Sequence, residues 1–258
     1  MDNNTKEIIN EEIKEEEISM ESCEEIKRHK LCLLRSFVEA QDPSSKEVDD
    51  HVLNRFLHYR KLDVEKASES FLKYLKWRKA FVPNGYISES EIRTEISQKK
   101  LFMQGFDKKG RPLVVVFHGR HVVVKKKERI EEFKRFMVYC MDKVCARMRD
   151  NGQEQFSFIS DFAEWGLSKN DINGCLTVLS ILQDFYPETL AQVYIVNQPY
   201  LLNTIWKIVS PLIRNNTKEK FVFVDNKKVT SRLLQDIDMD QLPEIYGGKL
   251  PLVPVEEC

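Results

Sequence analysis

Residues 193–224 read VYIVNQPYLLNTIWKIVSPLIRNNTKEKFVFV. Two short runs rich in β-branched and aromatic residues, Val193–Val196 and Phe221–Val224, bracket a stretch over about 199–213 whose apolar residues recur with a helical period. The same alternation runs upstream. Leu113–Phe117 (LVVVF) and Phe156–Ile159 (FSFI) read as strands, and helical patterns fill about 129–148 and 169–184. Strand, helix and strand in repetition predict right-handed crossovers and a mainly parallel sheet, so the larger part of the chain is α/β.

The chain before this region has a different character. Val48, Val52, Leu53, Phe56 and Leu57 fall on one helical face. After a break at Lys61-Leu62, Asp63 is placed to cap a second helix carrying Val64, Ala67, Phe71 and Leu75, which ends near Pro83-Asn84-Gly85. The expected organisation is an acidic tail over 1–25, a helical module over 26–82, the α/β domain over 95–248 and a C-terminal tail over 249–258.

Composition sets the outer limits. With 258 residues, 42% hydrophobic and 31% charged, and nine each of Gly and Pro, the chain is globular rather than collagenous or of low complexity. Net charge is −1, but unevenly spread: residues 1–25 hold ten acids against Lys6 and Lys14, so they carry −8 and the remainder +7. The acidic leader reads as a solvated extension or as a mask for a positive surface, and the basic body is compatible with anionic membranes. The six cysteines show no C-x-x-C spacing and no histidines at zinc-finger distance, which reads as reduced thiols in a cytoplasmic protein. An apolar leader segment and a spanning-length apolar run are both missing from the sequence, so any membrane contact is expected to be peripheral and reversible.

The motifs of enzymes are missing too: no G-x-S-x-G, no phosphate-binding G-x-x-x-x-G-K-[ST], no G-x-G-x-x-G and no H-E-x-x-H. No enzyme and no cofactor are expected. His118 and His121, in a loop after a strand, read as surface residues rather than metal ligands. Lys125, Lys126, Lys127 and Arg129 read as a solvated basic loop, with a phosphate or membrane contact as the alternative. Nucleic acid is not expected, because no recognition motif accompanies the charge.

The segment 199–214 carries more apolar surface than an ordinary surface helix. Asn203, Lys207, Ser210 and Arg214 form one narrow polar stripe, and Tyr200, Leu201, Leu202, Ile205, Trp206, Ile208, Val209, Leu212 and Ile213 fill the rest of the arc. Either a helix sandwiched in the core or a lid over an apolar cavity that also contacts a bilayer would have this composition.

An ordered set of motifs then becomes specific. Tyr186-Pro187-Glu188, Val193–Asn197, Pro199, Trp206–Val209, Pro211-Leu212, Lys220–Val224 and Leu242–Gly248 (LPEIYGG) resemble the CRAL-TRIO family of lipid-binding domains. Asn54–Leu57, Arg60–Val64 and Trp77–Lys79 resemble the helical domain that precedes it, and Asp107–Pro112 resembles the family's lead into its first strand. The resemblance implies a helical module followed by a CRAL-TRIO domain: a mainly parallel sheet, helical walls, an apolar pocket and a gating helix.

In the branch that includes the yeast phosphatidylinositol/phosphatidylcholine transfer protein, the resemblance further implies an inositol-phosphate site at Arg60, Lys61, Glu188, Thr217 and Lys220. It places Met103, Val114, Phe156 and Phe158 along the pocket, where that branch holds phosphatidylcholine with two tyrosines and a Ser/Thr pair. Phosphatidylinositol is therefore the expected ligand and weak phosphatidylcholine binding the expected consequence. The gating and membrane-contact residues are expected at Tyr200, Leu201, Leu202, Ile205, Trp206, Val209, Leu212 and Ile213. Expected partners are the phospholipid and, transiently, a membrane surface, with the chain a monomer. The alternatives are a carrier of a small sterol-, tocopherol- or retinoid-like hydrophobe, or a lipid-sensing regulatory scaffold.

Overall fold

A computed structural model describes residues 23–123 and 127–258. The acidic leader up to residue 22, and Lys125 and Lys126 of the basic run, lie outside the described residues. The chain divides into two units, one reaching to Arg78 and the other Lys79–Cys258.

The first unit is helical. Helix α1 covers residues 23–41, so it takes in the end of the expected tail. Helices α2 (Asp50–Tyr59) and α3 (Val64–Phe81) follow. Asp49 caps α2 through His51 N, and the predicted cap at Asp63 accepts from Lys66 N at 3.1 Å. Leu34 and Val38 of α1 meet Leu53, Phe56 and Leu57 of α2 and Ala67, Phe71 and Leu75 of α3 in one buried cluster. The periodic residues read from the sequence are the core.

The second unit is the expected α/β sheet, with one addition. Strands β1 (Leu101–Phe106), β2 (Pro112–Phe117), β3 (Phe156–Asp161), β4 (Leu190–Val196) and β5 (Phe221–Phe223) lie in that order. β2 to β5 are parallel, whereas β1 pairs antiparallel with β2. β1 was not foreseen. Its register shifts between Met103 and Phe106, where Gly105 adopts φ +71° and a Cβ would collide with the Gln241 carbonyl. The helices between and after the strands are α4 (Arg93–Ile96), α5 (Lys127–Asp150), α6 (Ile172–Phe185), α7 (Leu202–Val209), α8 (Asn215–Lys218) and α9 (Val229–Asp236).

The two faces of the sheet differ, as the period of two along each strand requires. On one face Leu113, Val115, Phe117, Ile159, Tyr194 and Val196 pack solidly against Leu233 and Ile237, α9 and the residue after it, and against Leu242 and Tyr246. The LPEIYGG motif is fixed there: the Tyr246 hydroxyl donates to Asp161 Oδ2 at 2.7 Å, and burial with that carboxylate raises the phenol's pKa. The other face of the same strands bounds a cavity.

The segment 249–258 is not a free tail. Met103 N donates to the Val253 carbonyl at 3.2 Å, Phe102 bridges to Pro254, and Val255 is buried. An edge strand leaves one row of backbone groups unpaired, and this segment satisfies part of it.

Candidate functional site

The cavity lies wholly within the second unit and has a volume of about 360 Å³. Its floor is the alternate residues of four strands: Val114 and Val116, Phe156, Phe158 and Ser160, Val193 and Ile195, Phe221 and Phe223. Three helical stripes with spacings of three and four close it. These are Phe133, Phe136, Met137, Cys140, Met141 and Val144 on α5; Gly174, Cys175, Val178, Leu179 and Leu182 on α6; and Leu202, Ile205, Trp206 and Val209 on α7, continued by Ile213.

The segment over 199–214 covers the cavity and is apolar on both sides. The α-helix is shorter than its periodicity predicts, because Ser210–Leu212 tightens into a 3₁₀ turn at Pro211. Leu202, Ile205, Trp206, Val209 and Ile213 face the cavity, and the Trp206 ring packs on Phe221 (4.9 Å) and Phe223 (5.1 Å). Tyr200, Leu201, Ile208 and Leu212 are exposed, Tyr200 at 92%. A helix buried in a core has no such outer face. The eight gating residues expected from the sequence therefore split, five inward and Tyr200, Leu201 and Leu212 outward.

Of the four expected pocket positions, Val114, Phe156 and Phe158 line the cavity and Met103 does not. Met103 is opposite Val114 in the ladder, but on the edge strand beside the C-terminal segment, where it is buried outside the hollow.

Glu188 and Lys220 come together because each stands just before one of two adjacent parallel strands. The Tyr186 hydroxyl donates to Asp142 Oδ1 of α5 at 3.0 Å, anchoring the turn, and Glu188 adopts a left-handed φ of 57°. Lys220 Nζ donates to the Leu190 carbonyl at 2.6 Å and stands 3.9 Å from Glu188 Oε2, both side chains being half-buried. Thr217 is one turn earlier, its carbonyl accepting Lys220 N at 3.1 Å. None of the three lines the cavity, though Leu190 and Phe221 beside them do. Arg60 and Lys61 belong to the first unit. Arg60 Nε donates to Ser70 Oγ at 2.8 Å with its guanidinium over Tyr59, and Lys61 is exposed at φ 54°.

The polar residues missed from the sequence lie where β2 and β3 end. His118 and His121 are not surface residues; both line the cavity. Extending the alternation 114, 116 by two places would have found His118, and extending 156, 158 would have found Ser160. Nearby, buried Lys100 pairs with buried Glu95, donates to Gln98 Oε1 at 3.0 Å and reaches His121 Nδ1 at 3.1 Å. Burial pushes the Lys100 ammonium pKa down, against the pull of Glu95. His121 Nε2 meets Asp171 Oδ2 at 3.0 Å, and burial and Lys100 together lower its pKa despite Asp171. Arg129, read as part of a solvated basic loop or phosphate contact, pairs with Glu95 at 3.1 Å. Among the described residues the six cysteines form no disulfide. Among the described residues no helix is long and apolar enough to cross a membrane.

A one-faced sheet under a two-faced lid, with a cavity between, defines a class of domain. Residues 96–248 match the family described as the CRAL/TRIO domain, and the chain belongs to that family. It is 29% identical to Patellin-4 of Arabidopsis thaliana over 208 residues, which is 78% of this chain and 38% of that protein. It is also 29% identical over 220 residues to the phosphatidylinositol/phosphatidylcholine transfer protein SFH12 of the same plant, covering 79% of this chain and 40% of SFH12. The chain thus spans about two fifths of the length of these relatives. In fold it is similar to the crystal structure of Sfh5, with a TM-score of 0.60 over 87% of this chain and 88% of that one, at 19% identity.

Proposed function

We propose that this chain is a lipid-exchange protein that takes phosphatidylinositol from a membrane through the cavity behind α7, and that it binds phosphatidylcholine weakly. The observation that carries the reading is the lid: one apolar face walls the cavity while Tyr200, Leu201, Ile208 and Leu212 stand in solvent. The similarity to SFH12, a phosphatidylinositol/phosphatidylcholine transfer protein, supports the substrate class.

Magnitudes define the mechanism. Drawing a diacyl lipid into water exposes on the order of 30 methylenes at roughly 0.8 kcal/mol each, which is roughly 20 kcal/mol or more. Head-group contacts cannot supply that. An apolar cavity opened against a bilayer cancels most of it, because the chains pass from one hydrocarbon phase to another. A cavity of about 360 Å³ is at the low end of the roughly 300–1,000 Å³ of small-molecule sites, so a diacyl lipid requires the lid to swing outward. Selectivity then falls to the head group. Within the second unit, Glu188, Thr217 and Lys220 offer a cationic donor to a phosphodiester and a carboxylate acceptor to inositol hydroxyls, at about 1.5–3 kcal/mol per charge-assisted bond. Val114, Phe156 and Phe158 offer nothing to a choline phosphate, whose burial without partners costs several kcal/mol, roughly.

The test is mass spectrometry of lipids extracted from the purified chain. Phosphatidylinositol is the expected dominant phospholipid, and phosphatidylcholine as the major one would overturn the reading. The closed cavity's size also favours a second reading, carriage of one small hydrophobe, in which no phospholipid is recovered.

A further inference from the structure

The floor of the cavity is apolar along most of its length and polar at one end. There the strand alternation brings His118, just past β2, beside Ser160 of β3, and His118 Nε2 is 2.6 Å from Ser160 Oγ. The imidazole stacks on Phe162, ring centroids 4.3 Å apart, so this polar pair is wedged among hydrocarbon. Burial holds the ring neutral, with a pKa pushed down to about 3.

Most of the neighbouring polar groups are committed. Lys100 places its donors on Glu95, Gln98 and His121; His121 meets Lys100 and Asp171; Asp171 Oδ1 accepts from Gly174 N at 2.7 Å; and Lys169 donates to the Gly119 carbonyl. His118 and Ser160 differ. A neutral imidazole has one N–H and a serine one O–H, and the bond they share uses one of these. In either tautomer one donor and at least one lone pair are left over. An unmet donor at an apolar wall is unfavourable, and a bound oxygen would recover that loss.

We propose that His118 and Ser160 form a polar anchor inside the cavity for a hydrophobic ligand that carries a single uncharged hydroxyl. The ligand is one chain or one compact ring system, the size that about 360 Å³ admits with the lid shut. The anchor is a second subsite. Glu188 and Lys220 precede β4 and β5, whereas His118 and Ser160 are at the far ends of β2 and β3, a strand length of roughly 15–20 Å away. A hydroxyl suits the pair because it both donates and accepts, and because the neutral imidazole offers no countercharge. The proposal rests on the cavity holding lipid and not on the phosphatidylinositol assignment.

The test compares three probes with the same sixteen-carbon tail: 1-hexadecanol, hexadecane and palmitic acid. The full chain is incubated with vesicles containing each, re-isolated, and its bound probe quantified by mass spectrometry. Hexadecanol is expected at about tenfold or more over hexadecane, with the preference lost in His118→Phe and in Ser160→Ala. The serine variant leaves the strand backbone intact and carries the test if the histidine variant does not fold. Lys220→Ala is expected to lose phosphatidylinositol transfer and keep the hexadecanol preference, which separates this proposal from that reading. Equal retention of hexadecane and hexadecanol, or an unchanged preference in Ser160→Ala, would overturn it. So would palmitate outcompeting hexadecanol, which would assign the anchor to Lys169.

Discussion

Lys220 Nζ stands 3.9 Å from Glu188 Oε2 while donating to the Leu190 carbonyl at 2.6 Å. The backbone carbonyl holds the ammonium in place, and the loose ion pair leaves the carboxylate and the remaining ammonium protons able to meet a ligand. Two partly exposed charges at this separation contribute only about 0–1 kcal/mol to folding. Their value to stability is too small to explain the arrangement.

Glu188→Ala and Lys220→Ala are therefore expected to fold normally, with melting temperatures within a few degrees of the parent, and to lose phosphatidylinositol transfer between vesicles by more than tenfold. Glu188→Gln keeps the hydrogen-bonding shape without the charge and should retain part of it. Transfer at the parental rate in both alanine variants would refute the head-group assignment.

The outer face of the lid makes a separate prediction. Leu201 and Leu212 are 41% and 53% exposed, so charging them costs the fold little. At a bilayer each leucine contributes up to about 1.5–3 kcal/mol when buried. The double variant Leu201→Asp/Leu212→Asp should lose vesicle binding and transfer of any lipid by at least tenfold, with unfolding by urea unaltered. Undiminished sedimentation with vesicles would show that another surface docks.

Val114 and Phe158 are direct neighbours across β2 and β3 and both line the cavity. Exchanging them for Tyr and Thr enlarges one residue where the other shrinks, so the volume is nearly kept. The double variant Val114→Tyr/Phe158→Thr supplies two hydroxyls to a choline phosphate, and several-fold more phosphatidylcholine should co-purify with it than with the parent. No gain would mean that weak binding has another cause.

How much of this was visible in the sequence follows from what each signal encodes. Short apolar runs rich in β-branched and aromatic residues gave β2 to β5, and period-3.6 runs gave α2, α3, α5, α6 and α7, whereas α4, α8 and α9, of four to eight residues, are too short to show a period. β1 escaped because its register shifts at Gly105 and its residues are buried on both faces, which leaves no alternation to read. The packing of Val253 and Val255 along β1 escaped because it is tertiary: nothing local in that segment announces an edge strand awaiting cover. His118 was misplaced for a different reason. A histidine after a strand is ordinarily exposed, and only the continued alternation past Phe117 brings it to the cavity wall. Whether the segment over 199–214 is sandwiched in the core or apolar on two faces could not be decided from its composition, since both arrangements need the same residues; the exposure of Tyr200 and Leu212 shows the second.

His118 also makes the fold sensitive to acid. In the unfolded chain its pKa returns to about 6.5, whereas in the folded state it is lowered to about 3. Below pH 6.5 the unfolded chain therefore takes up a proton that the folded chain refuses, so this contribution is complete above 6.5 and is lost as pH falls toward 3. The slope is at most about 1.4 kcal/mol per pH unit for one proton. His121, lowered by burial and Lys100, acts in the same direction. Carboxylates titrate mostly below this range, so the window between pH 6.5 and 5 isolates the histidines. Urea unfolding across it should show the parent losing stability faster than His118→Gln, by about 1.5 kcal/mol at pH 5 relative to pH 6.5. Parallel losses in the two proteins would mean that the imidazole is protonated in the folded state and that burial does not hold it neutral.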